Sequence, residues 1–379
     1  MTITLTNAQL VTEDGIVSGT LTYGPNGIED LQPGASAAPG AEDAEGDFVV
    51  PGLIECHTDN LERHLVPRPG VIWPNSLAGA LAHDAQIIAS GITTVYDAMC
   101  IGGFDDDKDY RPKILGAMLA AVEEGTAHKL FRAEHRVHLR CETTDPKMMS
   151  YLDRHPGTRS ASLASLMDHT PGQRQWRDIA HYKKFISAEG GRTDEEIDAI
   201  IAADMERSKP IVADNFGKAV AFCKERGIAI ASHDDTTVEH VDDAAKAGCT
   251  ISEFPTTIEA AEAAHRAGMK TVGGAPNVVR GGSHSGGVSM IELAKAGLLD
   301  VLSSDYVPAS LLQAANKLGA GLMPLHEAFG LVTWRAADML GLADRGRLKP
   351  GLRADFVRFR LSNGTPVVRA VTVRGQRVF

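Results

Sequence analysis

The sequence has no cysteine pair of the CxxC kind. Its five cysteines, Cys56, Cys100, Cys141, Cys223 and Cys249, are scattered along 379 residues, which argues against a disulfide framework and for a reducing compartment. It also lacks a basic N-terminal stretch leading into an apolar core, so no signal peptide is expected. No uncharged apolar run is long enough to span a bilayer. The expectation is a cytoplasmic protein with no membrane partner. Positive charge is in deficit: 38 Lys and Arg stand against 49 Asp and Glu, a formal net charge of −11. That balance argues against a nucleic-acid partner but leaves room for a local basic pocket that takes a phosphorylated small molecule. Missing too are a GxGxxG or Walker-type phosphate loop, a GxSxG nucleophile elbow and zinc-finger spacing.

What is present is one stretch around which the chain is organised, residues 48 to 74. An apolar run after Pro51-Gly52 reads as a buried strand and stops at His57 and Asp59. Alternate strand residues point the same way, so both side chains can reach one ion. A tract crowded with Asn60, Glu62, Arg63, His64 and Arg68 follows, more chemistry than a strand-to-helix turn needs.

From residue 51 onward the pattern is helix, glycine, apolar run. Candidate strands lie at 53–57, 91–97, 131–142, 160–169, 227–233, 248–254, 268–274 and 297–305, with helical stretches such as 77–90 and 111–124 between them. Eight strands alternating with helices predict an α/β fold, a TIM-like (β/α)8 barrel over 51–344. A doubly wound open sheet is the rival, and it should show the phosphate loop that is missing. Between the fourth and fifth strands an insertion, 170–226, carries two helical stretches, 194–208 and 210–225. Insertions of this length often serve as lids or binding loops. A long helix, about 324–340, closes the barrel pattern. Residues 1–50 and 345–379 read as short strands and turns, each too small to fold alone. Together they predict a small β-sandwich built from both chain ends.

Ionisable groups stand where candidate strands end: His57 and Asp59 (first), Glu142 (third), His169 (fourth), His233 (fifth) and Asp305 (eighth). In barrel enzymes the C-terminal strand ends carry the active site. Imidazoles mixed with carboxylates suit zinc, with manganese or iron as alternatives. Glu142 could bridge two ions, so the site takes one ion or two. Each residue alone has a blander account: a strand-end His is more often a packing residue, and an Asp after an apolar run is often a helix cap. Six at strand ends make coincidence the weaker account. Glu253, Asp97 and His138 lie near the same ends and read as supporting or structural groups.

A second group is basic. Arg63, His64 and Arg68 follow the first strand, and Arg174, Lys183 and Lys184 lie in the insertion. Asn277, Arg280 and His284 belong to the Gly-rich segment after the seventh strand. Arg and Lys bind phosphate through charge-assisted hydrogen bonds, and Gly-rich backbone lets N–H groups approach an anion closely. The bland alternative is a solvated face.

Over essentially the whole chain these residues resemble the amidohydrolase superfamily. Val50-Pro51-Gly52-Leu53-Ile54 before a His-x-His-like motif, and Pro350-Gly351-Leu352-Arg353-Ala354-Asp355, look like that superfamily's domain junctions. Asp59 departs from the usual second His, and Glu142 appears where many members place a modified Lys. Longer motifs narrow the match: His57-Thr58-Asp59-Asn60-Leu61-Glu62, Pro67-Arg68-Pro69-Gly70-Val71, His138-Leu139-Arg140-Cys141-Glu142 and Met167-Asp168-His169-Thr170-Pro171-Gly172. They resemble the PhnM family, the diphosphatases of the carbon–phosphorus lyase pathway. That resemblance implies hydrolysis of α-D-ribose 1-methylphosphonate 5-triphosphate to the 5-phosphate and pyrophosphate.

The expected mechanism uses the six strand-end ligands to hold metal and Asp305 to take a proton from the attacking water. Another amidohydrolase cleaving a C–N or C–O bond would need the same ligands but fewer basic residues around them. A non-catalytic binding barrel would be marked by lost ligands, and none of the six is missing. The sequence leaves room for a homo-oligomer.

Overall fold

The computed structural model describes residues 2–103, 110–188, 193–283 and 286–379. The chain opens with three strands, β1 (Ile3–Thr12), β2 (Gly15–Gly24) and β3 (Gly27–Pro33). Two-residue turns at Glu13-Asp14 and Pro25-Asn26 fix their antiparallel registers, Thr12 opposite Gly15 and Gly24 opposite Gly27. Two short strands, β4 (Glu42–Asp43) and β5 (Phe48–Pro51), then run parallel to β1.

Gly52 turns the chain from β5 into the barrel. A Cβ there would stand 2.1 Å from Thr93 Oγ1, so only glycine lets these segments approach. The eight barrel strands are β6 (Leu53–Thr58), β7 (Ile92–Ile101), β8 (Glu134–Glu142), β9 (Leu163–Met167), β10 (Ala229–His233), β11 (Ile251–Glu253), β12 (Lys270–Gly274) and β13 (Val301–Ser303). All lie parallel in sequential order, as the alternating pattern predicts. The seam between β6 and β13 is held mainly by side chains. Thr58 forms a parallel bridge to Asp305 and its hydroxyl donates to the Asp305 carbonyl at 2.6 Å. The buried Glu55 carboxylate accepts the backbone N–H groups of His57 (2.7 Å) and Ser304 (2.6 Å). Burial pushes its pKa up to about 7 despite those bonds.

Inside the barrel, Ile54, Cys56, Tyr96, Leu163, Ala231, Ile251, Val272 and Val301 form one apolar cluster. Strand residues two apart share a face. The side chains two places beyond this plug, Ser165, His233, Glu253 and Ser303, therefore form a polar layer above it. The helices cover the outside through two larger apolar clusters.

The last strands are β14 (Phe356–Ser362), β15 (Thr365–Val373) and β16 (Gln376–Arg377). β14 pairs antiparallel with β5, giving the order β16-β15-β14-β5-β1-β2-β3. The two chain ends thus meet beside the barrel, as expected, and their strands join in one mixed sheet.

Two helices differ from expectation. The stretch 324–340 forms two short helices, Leu325–Gly330 and Trp334–Met339. Between them the carbonyls of Leu331 and Val332 accept the N–H groups of Leu302 and Ile54 at 2.9 Å, so barrel strands take bonds that a continuous helix would have used. In the insertion, 194–208 and 210–225 join into one helix, Asp194–Arg226, with Pro210 inside it. No helix among the described residues is long and apolar enough to cross a membrane.

Candidate active site and metal centre

The C-terminal ends of the strands surround an open cavity whose free space, solvent at its mouth included, is about 820 Å³. His57, Arg140, His169, His233, Asp234 and Asp305 line its floor and sides, with Phe254, Asn277, Val288 and Tyr306 among the residues toward the loops. Asp234, Phe254 and Asp305, each just past a strand end, have φ values of 53°, 57° and 54°. Left-handed backbone costs a non-glycine residue of order 1–3 kcal/mol, and here it lets the chain leave the barrel at once while the side chain stays at the mouth.

Two groups of ligand-type atoms lie within 4.8 Å of one another at this mouth: His57, His233 and Glu253, and His169, His233 and Asp234. His57 Nδ1 is 2.8 Å from Glu253 Oε1, and His233 Nδ1 is 2.9 Å from Asp234 Oδ2. Neither contact has the direction of a hydrogen bond, and both buried nitrogens lack a hydrogen-bond partner. Asp59 shows the same trait. It occupies the N-cap position of the helix Asn60–Leu65, but its side chain makes no capping bond and its buried Oδ1 is unpartnered. Buried polar atoms are nearly always bonded. Three orphans on His57, Asp59 and His233 fit a divalent cation, since imidazole nitrogen and carboxylate oxygen are its usual donors.

Glu142 and His169 pair through Oε2 and Nδ1. Asp59 and Asp305 stand outside the two tight groups. Both are close to Arg140, which rises from β8 with Nη1 3.6 Å from Asp59 Oδ2. Burial would neutralise Glu253, but the imidazoles of His57 and His233 beside it hold it well below the usual carboxylate range. Burial lowers His138 to about 3, so it stays neutral. Its Nδ1 donates to the Cys56 carbonyl at 2.9 Å, and its Nε2 and a Glu253 carboxylate oxygen both contact the Ser165 hydroxyl oxygen. Burial raises Asp305.

The basic residues expected from the loops are placed differently. Arg174 donates to Asp235 Oδ1 (2.7 Å) and to the His233 carbonyl (2.8 Å), which fixes the insertion to β10. Lys183 pairs with Asp198 of the neighbouring helix. Arg63 stacks over Tyr306, 5.7 Å from the ring centroid, and His64 meets Gln86 at 2.9 Å. Arg68 and Arg280 are exposed and do not line the cavity. The Asn277 side chain lies at the cavity, where it bonds the Val288 carbonyl and the Met290 N–H. His284 and the Lys184 side chain fall outside the described residues.

Arg140, Asp234 and Glu253 are the residues that sequence reasoning left aside or did not name as site groups. Arg140 was accessible from strand period, since it stands two places before Glu142 on the same face. A third histidine–carboxylate group, His83, Asp97 and His135, lies behind the barrel wall. All its ring nitrogens are hydrogen-bonded, so it needs no ion.

No family model matches the chain. The alpha-D-ribose 1-methylphosphonate 5-triphosphate diphosphatase of Escherichia coli (strain K12) is 43% identical to it, covering 99% of this chain and 100% of the relative. Among solved structures, N-acetyl-D-glucosamine-6-phosphate deacetylase from Mycobacterium smegmatis has a TM-score of 0.64 at 17% identity, with 100% of both chains covered. N-isopropylammelide isopropylaminohydrolase from Burkholderia multivorans ATCC 17616 has the same score and identity, covering 100% of this chain and 98% of its own. A solved amidohydrolase gives 0.60 at 16% identity over 100% and 98%. At such identities these structures speak to the fold alone.

Proposed function

The chain belongs to the family of alpha-D-ribose 1-methylphosphonate 5-triphosphate diphosphatases, and from that premise we propose that it hydrolyses this triphosphate to the 5-phosphate and pyrophosphate. The observation that carries the reading is identity over the whole length of both chains. It is supported by the three unpartnered ligand atoms on His57, Asp59 and His233 at the barrel mouth.

We assign His57, Asp59, Glu142, His169, His233 and Asp305 to holding one or two divalent ions, zinc first, with manganese or iron as alternatives. Held there, such an ion would supply acidity to a neighbouring water near neutral pH. The chain's own groups do the rest. Asp305, at the cavity wall, orients the water and takes its proton. The water oxygen forms the new P–O bond, and the P–O bond between the first and second phosphates breaks. The bridging oxygen departs with the electron pair. The apolar edge of Phe254, packed against His57 and His233 with ring centroids 5.2 and 5.4 Å away, shields one side of the site from bulk water. Five free cysteines support a reducing, cytoplasmic setting for this chemistry.

A second reading, cleavage of a C–N or C–O bond, is favoured by one observation: among the described lining residues Arg140 is the only arginine or lysine. Metal analysis and a turnover assay on one purified sample separate the two. We expect bound metal and chelator-sensitive pyrophosphate release from the ribose methylphosphonate triphosphate, and none from a nucleoside triphosphate or a simple amide. Amide turnover without pyrophosphate release would establish the second reading. Asp305→Asn should retain metal and lose most turnover; full activity in that variant would remove Asp305 as the base.

A further inference from the structure

Arg140 stands out among the interior arginines of this chain because its donors are unused. Arg345 bonds Thr94 and Asp344 and pairs with Glu134. Arg358 bonds Asp47, and Arg174 bonds Asp235 and a carbonyl. A guanidinium presents five N–H donors, yet Arg140 makes no side-chain hydrogen bond among the described residues. Its contact with Asp59, 3.6 Å through a single nitrogen, is beyond hydrogen-bond reach. Its Nε is buried and unpartnered. An arginine serving only as counter-ion to Asp59 would close on it through both nitrogens of its fork. Here the fork is left open in the wall of the cavity, one strand repeat below Glu142.

Resting on the diphosphatase reading, we propose that the Arg140 guanidinium grips the non-bridging oxygens of the phosphoryl group under attack, and that it is the catalytic residue that makes this barrel selective for phosphoanhydrides. The planar fork matches two oxygens of a phosphoryl group as it does a carboxylate. Charge grows on those oxygens as the P–O bond breaks, so a donor already in place stabilises the transition state more than the bound substrate. Arg140 exchanges no proton in the step: the water proton goes to Asp305, the electron pair leaves with the bridging oxygen, and the guanidinium stays a cation throughout. The surrounding carboxylates Asp59, Glu253 and Asp305 keep it so. Among the described loop residues first expected to hold phosphate, Asn277 lines the cavity but carries no charge, and Arg68 and Arg280 do not line it, whereas Arg140 lines it together with His57 and His233.

The test uses metal-loaded wild type, Arg140→Met and Arg140→Lys, with Arg140→Gln in place of Met if that variant does not fold. Three quantities are read: metal content, kinetics of pyrophosphate release, and binding of inorganic phosphate by calorimetry. Metal content should hold or rise, because a cation beside the ligands has been removed. kcat should fall roughly 10²–10³-fold, and phosphate affinity should fall about tenfold or more. Lys should recover only part of either, since it keeps the charge and loses the fork. Unchanged kcat and phosphate affinity would overturn the proposal. So would a loss of activity in both variants that follows a loss of metal, because Arg140 would then only position Asp59. If wild type binds phosphate through Arg140 but releases no pyrophosphate, the anion site stands and the diphosphatase reading falls. If it does neither, both fall.

Discussion

Asp235 is fully buried, and its carboxylate takes hydrogen bonds from Arg174 at 2.7 Å and from the Ser252 hydroxyl at 2.7 Å. Removing the arginine leaves that charge without its cation, and breaking a buried pair in this way costs about 3–5 kcal/mol. Arg174→Ala should therefore lower the denaturant midpoint of unfolding markedly while changing KM for the triphosphate less. An unchanged midpoint with a raised KM would return Arg174 to the substrate. The same residue shows where sequence reading stops. Its charge and its place in an insertion are visible in the chain, but its partner lies on another strand. Residues fixed by strand period behave differently: His57 and Asp59 are legible because a strand ends there, and Arg140 can be reached by counting two back from Glu142. Asp234 is not, because its left-handed backbone (φ 53°) and its contact with His233 depend on where the chain leaves the barrel.

At the scale of elements, the helix Ser76–Ala89 is tied to two strands by charge as well as by apolar contact. His83 Nε2 donates to Asp97 Oδ1 at 2.8 Å, and its Nδ1 accepts from Asn60, so this ring is neutral. His135 Nδ1 donates to Asp97 Oδ2 at 2.8 Å, while its Nε2 faces Asp84 of the helix at 3.4 Å. Both nitrogens of His135 are donors, as in the imidazolium. Burial opposes that charge, but Asp97 and Asp84 outweigh it and push His135 up to about 9. Burial likewise opposes ionised Asp97, which its two histidines hold at about 2. A raised histidine stabilises the fold fully below its unfolded value, about 6.5, and the contribution is lost as pH climbs through about 9. Wild type should therefore lose stability between pH 6.5 and 9 relative to Asp97→Asn, whose curve should be flatter there. Parallel curves for the two proteins would refute the buried imidazolium. The strands that carry these residues were legible because eight apolar runs, six of them glycine-led, recur between helices. The two helical differences have local causes that no single-segment pattern contains. Barrel N–H groups take the carbonyls of Leu331 and Val332, and Pro210, a usual helix breaker, is carried within a 33-residue helix.

Over the whole molecule, the barrel and the chain-end sheet share one strand path and one set of charges. β5 is bonded on one edge to β1 and on the other to β14 before it enters the barrel through Gly52, whose N–H donates to the Asp355 carbonyl at 2.8 Å. Val357, Phe359 and Val371 of the last strands pack into the same cluster as Leu53, Ile92, Leu311 and Phe329 of the barrel. Glu134 of β8 meets Arg345, Arg353 and Arg374, at 2.8, 2.7 and 3.0 Å. A chain ending at residue 344 would lose all three arginines, expose one edge of β5 and uncover apolar side chains worth about 1.5–3 kcal/mol each when buried. Folded domains have only about 5–15 kcal/mol in hand. The full-length protein should accordingly unfold in a single calorimetric transition, and the chain ending at 344 should give neither a cooperative transition nor pyrophosphate release. Two resolved transitions in the full chain, or turnover by the shortened one, would mean that the barrel folds as an independent unit and that the sheet is an appendage to it.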